Sequence, residues 1–195
     1  MEYVFGAILG YLLGSTSIAT IISKSHGIDI TKIGSNNPGA SNVFMHIGKK
    51  YGVVVALVDI LKAFISAEIT LLIFPNAYNA AIIAGTFAVI GHIYPIFLKF
   101  RGGKGTAAFL GLVLFYNWKI FVILIVLMAL ITVISNFIVF ATFTAITIML
   151  VYPYVVNDNI VVKIAFTFIF LLILYKHREN IKNLINGTET GLRER

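Results

Sequence analysis

The chain has 195 residues, of which 59% are hydrophobic and 12% charged, with a formal net charge of +7 and a mean hydropathy of +0.95. These values lie outside the range of a soluble globular domain and define an integral membrane protein. The lack of cysteine excludes disulfides, thiolate metal ligation and a thioester intermediate, and His26, His46, His92 and His177 show no paired spacing that would hold a metal.

A bilayer crossing takes about 20 apolar residues as helix, because an open strand leaves backbone groups unpaired in lipid. Apolar runs occupy 3–22, 52–74, 78–98, 106–117, 119–135, 137–152 and 160–176. They predict an all-α protein of about seven transmembrane helices forming a single membrane-embedded domain over 1–195. A single tilted or broken segment over 106–135 would reduce the count to six. The first run follows Met1-Glu2 without a basic leader and is longer than the apolar core of a signal sequence, so it is expected to be retained.

Lys24, Lys32, Lys49 and Lys50 follow the first run, Lys99, Arg101 and Lys104 follow the third, and Lys176, Arg178, Lys182, Arg193 and Arg195 follow the last. The opposite connections hold Lys119, Lys163 and Asp158. The positive-inside rule then predicts an external amino terminus and a cytoplasmic carboxyl terminus. Three polar blocks fall on the same cytoplasmic side, which favours seven helices over six. Many of these lysines serve equally as topology signals or as contacts to anionic headgroups.

The first block is Gly34-Ser35-Asn36-Asn37-Pro38-Gly39-Ala40-Ser41-Asn42. Asn37 suits an N-cap, Pro38 the first helical position, and Gly48 the end of a helix of about ten residues. Ser35, Asn36 and the free amides would then lie at a helix N-terminus, where an anion is favoured. Capping alone accounts for Asn37 and Pro38, but not for the crowding of Ser35, Asn36, Asn37, Ser41 and Asn42.

The second block runs from Gly91-His92 to Arg101-Gly102-Gly103-Lys104-Gly105-Thr106 and leads into the fourth apolar run. Small residues let backbone amides close on an oxyanion while Arg101 and Lys104 supply charge. It is not a nucleotide P-loop, since Lys104 precedes Gly105 and no strand precedes the loop. Glycines for close helix packing are the alternative. His92, two residues before Tyr94-Pro95, is an ionisable group near the inner end of a span and so a functional candidate, or else a packing residue. The third block, His177-Arg178-Glu179-Asn180, places His177 and Asn180 three apart on one face of an extended last helix; His177 would also suit a helix C-terminal dipole.

The chain resembles the bacterial membrane glycerol-3-phosphate acyltransferases that use acyl phosphate, the PlsY family, along essentially its whole length. The resemblance rests on GSNNPGASN at 34–42, GHIYPIFLKFRGGKGTA at 91–107 and HRENIKNLINGTE at 177–189. The chain departs from the family at Met45, where an arginine is usual, at Asn36, often Ser or Gly, and at Ala63, which follows Asp59-Ile60-Leu61-Lys62 where glycine is usual.

The resemblance implies transfer of a fatty acyl group from acyl phosphate to the 1-hydroxyl of glycerol 3-phosphate, giving lysophosphatidic acid and phosphate at the cytoplasmic side of the bacterial plasma membrane. It implies no cofactor, no nucleic acid partner and contact with membrane lipid. With no cysteine, no Ser-His-Asp signature and no His followed four residues on by Asp, direct attack by the glycerol hydroxyl is expected. Ser35 and the amides from Gly102 to Lys104 are expected to orient the donor phosphate, with Lys104 offsetting its charge. His92 is expected to transfer a proton or hold the donor, and His177 with Asn180 to bind glycerol 3-phosphate. Asn36, Asn37, Gly39, Asn42, Arg101, Gly102, Gly103, Gly105 and Thr106 complete the expected binding set, with Thr142 and Thr144 as lesser candidates. A carrier for phosphorylated metabolites is the alternative, against which stands the lack of an internal repeat; a structural scaffold would leave the three motifs unexplained.

Overall fold

The computed structural model describes residues 1–193, so Arg195, counted above among the basic residues of the tail, lies outside it. The described residues are helical with no strand, and the chain forms two compact units, residues 1–116 and the segment from Asn117 onward.

The first unit opens with α1 (Glu2–Gly14) and α2 (Ile18–Ser25), which together make one candidate crossing of 24 residues. They are separate helices because the ladder stops at Ser15-Thr16-Ser17, where Ser17 restarts it by accepting the Thr20 amide at 3.4 Å. Next come α3 (Ala40–His46), α4 (Lys49–Ile73), α5 (Tyr78–Ile93), a 3-10 turn (Ile96–Leu98) and α6 (Thr106–Tyr116). Helix α5 is the most enclosed, packing against α1, α4 and α6.

Lipid tails are as apolar as leucine, so association here rests on close packing more than on hydrophobic burial. Gly6, Gly10 and Gly14 form a stripe at four-residue spacing on α1, facing Ala80, Ala84 and Ala88 at the same spacing on α5. A Cβ on Gly6 would approach the Ala80 carbonyl oxygen to 2.7 Å, and one on Gly10 or Gly14 would run into the Ala84 or Ala88 backbone. Helices α4 and α6 meet in the same manner. A Cβ on Gly111 would collide with the Ile60 carbonyl and lie 3.0 Å from Ala63. Glycine on α6 thus leaves room for Ala63, the departure noted in the sequence.

The second unit consists of α7 (Trp118–Ser135), α8 (Ile138–Val155), α9 (Ile160–Lys176) and α10 (Arg178–Ile185). Asn117 caps α7 by accepting the Lys119 and Ile120 amides at 3.0 and 3.2 Å, so the region 106–135 is two helices rather than one. Asn159 caps α9 in the same way, through Val161 and Val162. Asn136, in the left-handed region at φ +68°, turns α7 into α8, and its carbonyl and side-chain oxygens accept the amides of Leu192 and Arg193.

The predicted apolar runs are all helical, the first as the two helices α1 and α2. Glu2–Ser25, Tyr78–Leu98, Trp118–Ser135 and Ile138–Val155 have the length and hydropathy of a crossing, and Ile160–Lys176 with Arg178–Ile185 makes a fifth, bent by 53°. Helix α6 is shorter, at 11 residues. Helix α4 has 25 residues but carries Lys49, Lys50, Asp59, Lys62 and Glu68.

Candidate active site

The first polar block is built differently from its sequence-based expectation. Gly39, not Asn37, is the N-cap, and α3 spans only seven residues, because Asn36 is left-handed at φ +50° and Asn37 and Pro38 remain outside the helix. Buried Asn42 organises the loop. Its Nδ2 donates to the carbonyls of Ile30, Ile33 and Asn37 at 3.1, 2.9 and 3.1 Å, and its Oδ1 accepts the Ser35 amide at 3.3 Å. With both ends of its amide engaged, Asn42 is a clamp on the loop, a role its expected place in the binding set did not include. Ile30 and Val43 pack with Ala19 and Val55 beneath it. Ser35 and Asn36 are exposed on the clamped turn. Among the described residues, Asn37 Oδ1 beside Gly39 is a buried acceptor without a partner. Nearby, the Thr31 hydroxyl and amide hold the Asp29 carboxyl below the usual carboxylate range, aided by Lys32.

The glycine loop folds back on the end of α5. The amides of Gly102 and Gly103 donate to the carbonyls of Ile93 and His92 at 3.2 and 3.0 Å, so in this structure they are engaged with the end of α5, where they were expected to face an oxyanion. Both glycines are required by proximity. A Cβ at 102 would meet the His92 carbonyl and the Pro95 ring, and one at 103 would meet the His92 imidazole at Nε2. What the loop offers a phosphate is therefore exposed Arg101, half-buried Lys104, and the first turn of α6 after Gly105, whose φ of +97° re-aims the chain at Thr106.

Behind the loop lies a charged cluster that the sequence reading passed over. Lys62 Nζ is 2.7 Å from Asp59 Oδ1, 2.9 Å from His92 Nδ1 and 3.1 Å from the Thr16 carbonyl oxygen. His92 Nδ1 also lies 3.3 Å from Asp59 Oδ1. All three side chains are buried. The break between α1 and α2 leaves the Thr16 carbonyl outside the helix ladder and available to Lys62. The available signal was the pair Asp59 and Lys62, three apart inside an apolar helix, a position where ionisable groups are by default functional; averaged hydropathy concealed it.

In the second unit the helix bends at His177, so His177 and Asn180 do not share one face of an extended helix as expected. His177 ends α9, is buried with Nδ1 2.9 Å from the Ile173 carbonyl oxygen, and stands edge-on to Phe143 at 5.7 Å. Asn180, in the first turn of α10, donates to Glu189 Oε1 at 2.6 Å. Thr144 donates into its own helix, to the Phe140 carbonyl at 3.0 Å, while Thr142 is buried.

Among the described residues, the chain is thus an all-helical membrane protein whose basic glycine loop is backed by a buried Asp-Lys-His cluster. The chain matches the glycerol-3-phosphate acyltransferase family over residues 4–187. It is 36% identical over 183 residues to the glycerol-3-phosphate acyltransferase of Geobacillus kaustophilus, covering 93% of this chain and 92% of that one. It is 39% identical over 189 residues to that of Endomicrobium trichonymphae, covering 95% and 94%. The crystal structure of PlsY, an integral membrane glycerol 3-phosphate acyltransferase, in its glycerol 3-phosphate form superposes with a TM-score of 0.92 at 35% identity, covering 98% of this chain and 96% of that one. The chain belongs to the glycerol-3-phosphate acyltransferase family and is an enzyme of phospholipid synthesis.

Proposed function

We propose that this enzyme takes its acyl group from acyl phosphate and places it on the 1-hydroxyl of glycerol 3-phosphate. The hydroxyl oxygen attacks the acyl carbonyl, the carbon–oxygen bond to phosphate breaks, and lysophosphatidic acid and inorganic phosphate result. The observation that carries this reading is the full-length likeness to PlsY, solved in glycerol 3-phosphate and lysphosphatidic acid forms, together with the basic loop that this chain holds against His92.

In this reading Lys104 and Arg101 meet the donor phosphate with the first-turn amides of α6, and Ser35, Asn36 and Asn37 offer hydroxyl and amide groups from the turn that Asn42 clamps. Lys104 offsets charge growing on the leaving phosphate. His177 and Asn180 bind glycerol 3-phosphate, and His92 transfers a proton or holds the donor. Seven crossings with the amino terminus outside put residues 23–50, 99–105 and the tail after 176 in the cytoplasm, supported by the basic residues of those segments. The whole chain then acts as one domain of the bacterial inner membrane.

The test is purified protein supplied with an acyl phosphate and glycerol 3-phosphate, without ATP or coenzyme A. Release of inorganic phosphate in step with lysophosphatidic acid is expected. Transfer from acyl-coenzyme A alone would overturn the donor assignment.

A further inference from the structure

A lysine ammonium has three N–H donors and no acceptor. Lys62 meets three acceptors, Asp59 Oδ1, the Thr16 carbonyl oxygen and His92 Nδ1, at 2.7, 3.1 and 2.9 Å. With Lys62 charged beside Asp59, the imidazole nitrogen facing it carries the lone pair, which puts the proton of the ring on Nε2. The alternative has Nδ1–H donate to Asp59 Oδ1 across 3.3 Å. It would set that N–H against an ammonium and leave one Lys62 donor without its acceptor in a buried site. On its other edge the ring meets the glycine loop, since a Cβ on Gly103 would overlap Nε2.

We infer that Lys62, anchored by Asp59 and the Thr16 carbonyl, is a positioning residue that holds His92 as its neutral Nε2–H tautomer, so that His92 presents a hydrogen-bond donor to the glycine loop and is not the general base. The kinetic consequence rests on the acyltransferase reading; the tautomer does not. Of the two roles open to His92, holding the donor phosphate is the one its proton permits. The hydroxyl proton then passes to the leaving phosphate, which departs as hydrogen phosphate.

The test uses the full chain in lipid nanodiscs, labelled with nitrogen isotope at histidine, with the His92 signals assigned by their disappearance in His92→Gln. At neutral pH the wild type is expected to show a bare Nδ1 and a protonated Nε2. In Lys62→Met the ring turns to Asp59, and the proton is expected on Nδ1. Asp59→Asn with Lys62→Met removes both partners without stranding a buried charge. It is expected to lose the fixed Nε2–H signature and to lower kcat by about 10-fold or more, with KM for glycerol 3-phosphate within about twofold. A protonated Nδ1 in the wild type overturns the inference, as does a folded double variant with unchanged kcat. If neither variant folds, the wild-type spectrum decides alone. A wild type without acyl-phosphate-dependent turnover defeats the functional reading, while the spectrum still tests the tautomer.

Discussion

Asn180 donates its side-chain amide to the Glu189 carboxylate at 2.6 Å, tying the first turn of α10 to the segment beyond its end. The bond fixes which way the amide of Asn180 is turned, and so links a residue expected to bind glycerol 3-phosphate to the carboxylate of Glu189. Glu189→Ala is expected to raise KM for glycerol 3-phosphate by about 10-fold, the scale of a lost charge-assisted hydrogen bond, with a smaller rise for acyl phosphate. Steady-state kinetics with each substrate varied in turn checks this, and equal rises would mean that the bond holds the segment rather than the substrate.

Lys104 stands inside the loop whose neighbouring amides are engaged with the end of α5, so its charge has no substitute from Gly102 or Gly103. Lys104→Ala is expected to lower kcat by about 100-fold or more, as for removal of a preorganised stabiliser. Near wild-type turnover in the folded variant would remove Lys104 from the reaction.

Asn42 is expected to behave as scaffold. Asn42→Ala leaves the Ser35 amide and three carbonyls without their side-chain partner, destabilising the turn by about 1 to 3 kcal/mol. The KM values for donor and acceptor should rise together, with faster proteolysis between residues 30 and 39. A change confined to one substrate, with proteolysis unaltered, would return Asn42 to the binding set.

The α1–α5 contact predicts a position with little tolerance of change. Gly10→Val puts atoms into the Ala84 backbone and should destabilise by about 1 to 3 kcal/mol through overpacking, read as a lower midpoint of thermal unfolding in detergent. Ile8→Val on the exposed side of the same helix serves as the control and should leave the midpoint unchanged.

Topology is tested on a chain that has no cysteine of its own. Single cysteines at Lys32, Lys99 and Lys182 should resist a membrane-impermeant thiol reagent in intact cells, and one at Asn157 should react. Labelling of any of the first three at the level of Asn157 would refute the proposed orientation.

Helix positions were legible because apolar runs in a membrane chain have one backbone solution; the seven runs fall on helices with ends displaced by a few residues. The displaced ends have local causes. Asn37 had the composition of a cap, but the left-handed turn at Asn36 carried the chain two residues further before α3 began. The helix break at His177 was not visible, since Lys176, His177 and Arg178 are all compatible with continuing a helix. The glycine loop was recognised, but its amides were assigned to a ligand. Only the fold reveals that Gly102 and Gly103 hydrogen-bond to the carbonyls of Ile93 and His92, nine and eleven residues back in the chain. Lys62 was hidden for a related reason: its three partners come from positions 16, 59 and 92, and only one of them is local.

The gap at Ser15-Thr16-Ser17 also bears on biogenesis. Ionisable side chains such as Asp and Lys cost about 2.5 to 3.5 kcal/mol each at the centre of an inserting helix, and α4 brings Asp59 and Lys62 together. They partly neutralise each other within α4, but Lys62 needs the carbonyl freed by the interruption of the first hairpin arm, and the imidazole arrives 30 residues later. In the proposed seven-crossing arrangement α4 is therefore expected to sit poorly in the bilayer until α5 joins it. This polar knot thus draws on three successive parts of the chain, the Thr16 carbonyl, Asp59 with Lys62, and His92, and is complete only when all three are together.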